Sequence, residues 1–241
     1  MKKILLITLL WSGCLKAQDQ SIIVSAYAEF SASYTPWKSF SEFRKAYNTV
    51  NAPSIKKELS SLSDRYGYNL GAECFIARHL YASVEWNHLT SRSNAVFTND
   101  SKRFFALNTN AINCYIGWKQ FTPKGAWTIA TGVGFVFGHL NGWIRFPDGT
   151  RYFSTEGFSG EFTDINFGVP LKFDYERKIS ERFSWKIGVQ GQFYTGTSDL
   201  GMQNVFVAKT TDGVQLNDKL VKMDISGVMM HTGIVFNIYT L

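Results

Sequence analysis

Four histidines, His79, His88, His139 and His231, are the side chains best suited to moving protons near neutral pH. A serine beside one of them, with a carboxylate or amide orienting the ring, would make an acyl-transfer nucleophile. No serine motif accompanies His88, His139 or His231, and His79 falls in a tight turn. The segment GTSDLG, Gly196 to Gly201, comes near a nucleophile elbow but lacks the strand-to-helix context. Gly132, Gly134 and Gly138 alternate within a strand pattern instead of opening a helix, so they form no phosphate loop. No Cys/His spacing fits zinc and no acidic loop fits calcium, so neither metal nor cofactor is expected. What remains is ionic. Glu29, Glu73, Glu85, Lys119, Lys172, Asp174 and Lys186 all stand at polar positions of alternating segments.

The stretch INFGVPLKFDY, Ile165 to Tyr175, shows that alternation most plainly: every odd-numbered residue is apolar. One greasy and one wet face make a half-buried strand, long enough to cross a bilayer at a tilt. About eight segments share the two-residue period, at roughly 21–34, 66–77, from Leu80, 103–121, 126–146, 162–176, 182–195 and 222–241. On the last, Val228, Met230, Ile234, Phe236 and Ile238 form the better apolar face, in competition with Val235, Tyr239 and Leu241. Pro170 removes a ladder donor and is expected to mark a bulge or local distortion.

Connections alternate in length. Tight turns follow the second, fourth and sixth segments, near Arg78, at Thr122 to Gly125, and at Arg177 to Glu181. Longer ones start at Thr35 (about 31 residues), Arg92 (about 11), Pro147 (about 15) and Gly196 (about 26). Threaded as an up-and-down barrel, this topology gathers Trp118, Trp127, Tyr175 and Trp185, with Phe183, near the short-turn rim and on the apolar face. That is an aromatic girdle at a membrane interface. Counted from the short turns, Glu73, Glu85, Lys119, Lys172, Asp174 and Lys186 fall in one half of the polar face, with mixed signs that suit a hydrogen-bonded plug in a narrow lumen. The greasy face is therefore read as pointing outward, into lipid.

The 241 residues are 45% hydrophobic, 16% aromatic and 18% charged, enough for one domain with a full core. MKKILLITLLWSGCLKAQDQ pairs Lys2 and Lys3 with a short apolar run and a small residue, Ala17, for cleavage. Residues 1–17 are thus read as a signal peptide and 18–241 as the barrel domain. Cys14 follows Ser12 and Gly13 as in a lipoprotein box, although Trp11 fits that pattern poorly. Lys2, Lys3 and Lys16 leave with the signal, so the net charge falls from +6 to +3 and gives no warrant for nucleic-acid binding. Cys74 and Cys114, on strands separated by another, are expected as buried free thiols. No later run reaches the apolar length of a spanning helix, so entry into a membrane requires a closed barrel.

In the first long connection Phe40, Phe43, Tyr47 and Val50 recur at helical spacing. After Pro53, Ile55, Leu59 and Leu62 do the same, with Ser54 as a cap and Lys56 and Lys57 on the outer face. Two helices are expected, serving either as a docking surface or lid through Phe40, Phe43, Tyr47, Lys56 and Lys57, or as a hairpin that steadies the rim.

The signal, the alternation, the loop pattern and a final strand ending at Leu241 resemble the small eight-stranded outer-membrane barrels of the OmpA, OmpX and OmpW kind. GVPLKFDY, Gly168 to Tyr175, is similar to the penultimate-hairpin strand of outer-membrane barrel families. The chain departs from them in ending Tyr239-Thr240-Leu241 rather than on phenylalanine. The resemblance implies an all-β, eight-stranded antiparallel transmembrane barrel with a helical first loop, in the outer membrane of a gram-negative bacterium. Its surroundings would be outer-membrane lipid and lipopolysaccharide, with an envelope protein or host surface as partner. The implied role is non-enzymatic display of loops for adhesion, envelope integrity or docking. Lipid A modification, known on such barrels, is the outlying case. A narrow channel for small or hydrophobic solutes and a secreted soluble barrel around an apolar ligand are the alternatives.

Overall fold

A computed structural model describes residues 23–152, 160–195 and 225–239. The signal peptide, Cys14, the GTSDLG segment and the last two residues lie outside them. The strands are β1 (Ile23–Tyr34), β2 (Ile55–Lys57), β3 (Asp64–Phe75), β4 (Leu80–Phe97), β5 (Lys102–Thr122), β6 (Gly125–Arg145), β7 (Arg151–Tyr152), β8 (Gly160–Lys178), β9 (Phe183–Thr195) and β10 (Gly227–Tyr239), with one helix, α1 (Lys38–Asn51). Eight of these strands close an antiparallel ring, β1-β3-β4-β5-β6-β8-β9-β10, in which β10 returns to pair with β1 from Ile23↔Tyr239 to Tyr34↔Val228. β2 and β7 are short additions to β4 and β6 beyond the ring.

The ring is inside out by the standard of a soluble protein. Ile129, Val133, Phe135 and Phe137 on β6, and Ile165, Phe167, Val169, Leu171 and Phe173 on β8, all face outward and are exposed. The charged and amide residues between them point into the lumen and are buried. Such a lumen is not the apolar pocket of a soluble ligand-binding barrel. On β6 the apolar band runs from Trp127 to Phe137, ten residue steps. At about 3.3 Å per residue and a tilt of about 40°, it stands roughly 25 Å tall, the height of a bilayer's hydrocarbon band. β10 keeps the even-numbered face outward, and Val235 is buried inside.

The strands and turns depart from the sequence reading in three places. The connection expected from Arg92 is mostly strand: β4 runs on to Phe97, and a four-residue turn, where Asp100 takes a positive φ of 62°, leads into β5 close to its expected start. Above the apolar band Arg92 and Asn94 point out while Ser91 and Ser93 point in. Both faces are polar there, so the alternation loses its contrast.

After Pro53 there is no second helix. A 3-10 turn (Ala52–Ser54) leads into β2, where Ile55 pairs with Phe97. Leu59 and Leu62 are buried from irregular chain, which Asn48 holds by accepting from Leu59 N at 2.9 Å and donating to Leu59 O at 3.2 Å. Cys74 and Cys114 form no disulfide, but both point outward, Cys114 exposed and Cys74 half-buried. Pro170 marks the expected local distortion, not a bulge: it interrupts the β6–β8 ladder without shifting it, since Thr131↔Leu171 and Gly134↔Gly168 keep one register. Thr131 Oγ1 donates to Pro170 O at 3.3 Å beside the gap.

Candidate functional site

Period-two alternation delivers one inward side chain from every second residue, and an eight-stranded lumen is just wide enough to be filled by them. Glu29 on β1, Glu73 on β3, Glu85 on β4, Lys119 on β5, Lys172 and Asp174 on β8 and Lys186 on β9 are all buried in it. Nearest the short turns, Lys119 Nζ donates to Glu73 at 2.5 Å and to Glu176 at 2.7 Å. Further in, Lys172 Nζ donates to Glu85 at 2.5 Å, and Lys186 lies 2.6 Å from Glu29. Asp174 sits between those two lysines at 3.7 and 3.8 Å and also meets His231 Nε2 at 2.8 Å. Tyr27 fills the centre: its hydroxyl donates to Glu85 at 3.2 Å, and Lys186 Nζ stands 3.4 Å from its ring centroid. Cation and carboxylate alternate across this cluster, so each of its buried charges has an opposite one beside it, which offsets the cost of burying them.

Two members of this cluster escaped the sequence reading. Glu176 follows Asp174 by two and was open to discovery by the same period. His231 was legible only through the register of β10.

The opposite, long-loop end is closed by apolar packing. α1 presents Phe40, Phe43 and Tyr47 on one face, and these enter the barrel mouth with Trp37, Leu59 and Leu62. There they meet Ala95, Phe105, Leu107, Leu140 and Ile225 from the wall and its edge. Phe43 lies 5.8 Å, centroid to centroid, from both Tyr47 and an edge-on Phe105. Burial of each such ring is worth about 1.5–3 kcal/mol, which holds the segment as a stopper. Phe40, Phe43 and Tyr47 are therefore inside the mouth and present no surface to a partner. Lys56 and Lys57 are exposed, and Lys56 Nζ donates to Asp100 at 2.6 Å, tying the stopper segment to the β4–β5 turn.

Just below the stopper, Arg65 is fully buried and donates to Ser33 and Thr109 at 3.2 and 3.3 Å, and more closely to Thr35. No carboxylate of a described residue pairs with it. The sequence reading missed it because the second segment was started one residue too late.

Outside, Trp118, Trp127 and Trp185 are exposed at the short-turn rim, and Tyr175 packs on Trp127 at 4.4 Å between centroids. At the other edge of the apolar band the structure adds Tyr34, Tyr66, Tyr68 and Trp86, with Tyr68 edge-on to Trp86 at 5.4 Å.

The histidines are dispersed. His79 stacks on Trp118 at the short-turn rim, and His88 faces outward 2.9 Å from Asn110 Oδ1. His139 also sits on the outward side of β6. Ser31 stands opposite His231 in the β1–β10 register, the one place where serine, histidine and carboxylate approach one another among the described residues. Yet the Ser31 hydroxyl and His231 Nδ1 are each buried without a hydrogen-bond partner, inside the ionic cluster.

No protein-family model and no curated protein matches the sequence. Solved structures do. The outer membrane protein OprG of Pseudomonas aeruginosa superposes with a TM-score of 0.53 at 10% identity, over 92% of this chain and 98% of OprG. A major outer membrane protein of Thermus thermophilus gives 0.47 at 10% identity, over 89% and 99%. Ail, the attachment invasion locus protein of Yersinia pestis, gives 0.45 at 7% identity, over 91% and 100%. With the closed ring, the inverted faces and the filled lumen, the chain has the fold of the small eight-stranded outer-membrane β-barrels.

Proposed function

We propose that the protein is an integral outer-membrane barrel, exported by a signal peptide at residues 1–17, that acts without catalysis as a scaffold for its external loops. The short turns and both strand termini face the periplasm in this reading, and α1 and the β4–β5 hairpin face out. Adhesion, envelope integrity and docking of a partner are the roles such loops serve, with Lys56 and Lys57 as an exposed basic pair on the surface.

One observation carries the scaffold reading over the channel reading: the lumen is shut twice, by ions and then by rings. Solute passage would require the Lys119, Lys172 and Lys186 pairs and the α1 stopper all to part. Single-channel recording in a planar bilayer tests this. A silent bilayer is expected at protein loads that insert fully. Steady conductance steps from folded protein would overturn the scaffold in favour of a conduit. Fractionation of intact cells tests the location, with the protein expected in the outer-membrane fraction and recovery in soluble form refuting it.

A further inference from the structure

Where the strands stand clear of the apolar band, the outer wall of the barrel carries a pocket of about 360 Å³ that the lumen does not explain. Its floor is a cross-strand row, Asn94, Phe104 and Trp143, brought level by the β4–β5–β6 register. The Phe104 and Trp143 rings stack in parallel, 5.2 Å between centroids and 12° between planes. Around them stand Arg92, Arg145 and Arg151, all exposed, with Arg145 opposite Arg151 across β6–β7. Among the described residues no acidic one lines the pocket, and no described carboxylate pairs with any of the three arginines. Lys102, opposite Arg145 in the ladder, adds a fourth cation beside it.

Like charges crowded at cross-strand positions repel one another, so such a cluster is disfavoured in the absence of an anion. Guanidinium groups match phosphate oxygens with paired donors, and a flat aromatic pair offers an apolar plate to the C–H face of a sugar ring. The height of the pocket narrows the choice. Trp143 lies six residues beyond Phe137, the top of the band on β6. At about 3.3 Å per residue and a tilt of about 40°, that is roughly 15 Å above the hydrocarbon, beyond the acyl chains and among head-group sugars.

We propose that this pocket binds a phosphate-bearing sugar of the outer leaflet's glycolipid, with Arg92, Arg145 and Arg151 holding the phosphate and Phe104 and Trp143 the sugar face. The assignment rests on the barrel standing in the outer membrane with its long strands outward.

The test removes the membrane from the question. Full-length mature protein, purified in a zwitterionic detergent free of glycolipid, is titrated calorimetrically with a soluble phosphorylated core oligosaccharide and with the same sugar after phosphatase treatment. The phosphorylated form is expected to bind at least about tenfold more tightly. The double variant Arg145→Gln/Arg151→Gln is expected to lose about that factor, while Arg177→Gln/Lys178→Gln, an exposed basic pair at the opposite, short-turn end of β8, keeps wild-type affinity. Equal affinity for the two sugars, absence of binding, or full affinity in the arginine variant would each overturn the proposal. So would a sulfated saccharide of the same length binding more tightly than the phosphorylated one. The comparison of sugars on wild-type protein needs no variant to fold, and Arg92→Gln gives a second, single-site check. A negative titration removes the pocket but leaves membrane insertion standing, because fractionation judges that separately.

Discussion

The ring of Tyr27 lies across Gly71, its partner on β3, so closely that a Cβ at position 71 would stand 2.3 Å from Tyr27 Cζ. That missing methyl lets the ring lie low enough to take Lys186 above it and to reach Glu85 with its hydroxyl. Gly71→Ala is therefore expected to cost about 1–3 kcal/mol, by forcing the ring into an ionic cluster that has no slack. Urea titration of the folded barrel in lipid vesicles measures it. A midpoint unchanged from wild type would mean that the ring tilts away freely.

Gly188 has the same logic with a harder edge. A Cβ there would lie 2.1 Å from Asp174 Oδ1 and 2.5 Å from His231 Nε2, the two atoms that hydrogen-bond each other, and 2.8 Å from the Phe173 carbonyl oxygen. Gly188→Ala is expected to lower the urea midpoint, by about 1–3 kcal/mol in free energy. Combining it with His231→Ala makes room and should recover part of the loss. Strict additivity of the two changes would contradict that coupling.

Lys186 and Glu29 provide a cleaner measure of what the ionic cluster contributes. Lys186→Met leaves Glu29 buried with only Asn69 Nδ2 donating to it, at 3.1 Å, and is expected to cost about 3–5 kcal/mol. Glu29→Gln/Lys186→Met removes both charges and should restore most of that stability, since an uncompensated buried charge is the main loss. A double variant as unstable as the sum of the singles would show that the pair is not coupled.

How much of this was legible beforehand depended on the solvent on each side of the wall. Where the outer face is apolar and the inner face charged, neighbouring residues such as Phe173 and Asp174 differ so sharply that strand, face and register can be read from type alone. The same contrast placed Trp118, Trp127 and Trp185 at their rim. Above the band both faces are polar, so the extension of β4 past Arg92 carried no signal, and the arginine pocket it helps to create was invisible. The α1 face was legible from Phe40, Phe43 and Tyr47, but its destination was not. Helical spacing says that three rings share a side, and only the closed ring supplies a mouth for them. Leu59 and Leu62 misled because the three-residue spacing that suggests a helix is equally met by irregular chain pinned to Asn48.

The stopper itself can be loosened without touching the barrel. Phe43 is buried against Phe40, Tyr47 and Phe105 and lies outside the ladder, so Phe43→Ala is expected to remove about 3–5 kcal/mol of local packing. Trypsin added to proteoliposomes should then cut sooner at Arg44, Lys45, Lys56 and Lys57, while the barrel keeps its heat-modifiable mobility on gels. An unchanged cleavage rate would mean that the loop is held by β2 pairing and the Lys56–Asp100 contact instead.

That contact has its own signature in acid. Asp100 accepts a hydrogen bond from Lys56, whose charge adds to the effect, and both hold its carboxyl below the usual carboxylate range. A depressed folded-state pKa stabilises the tie at every pH above the unfolded carboxylate's value, about 3.9, and the tie weakens as pH falls through the lower folded value. Neutral and mildly acidic conditions should leave it intact, with loss confined to below about pH 4. The readout is hydrogen exchange of the peptide carrying Ile55–Lys57, where β2 pairs with β4 and Thr98 N donates to Ser54 O at 2.8 Å. Wild-type protection is expected to fall in acid towards that of Asp100→Asn, which lacks the titrating group and serves as the reference for intrinsic exchange at each pH. Both partners are solvent-exposed, so high salt should narrow the gap between wild type and variant even at pH 7. Indistinguishable protection in the two proteins at neutral pH and low salt would show that the stopper segment is held by packing and β2 pairing alone.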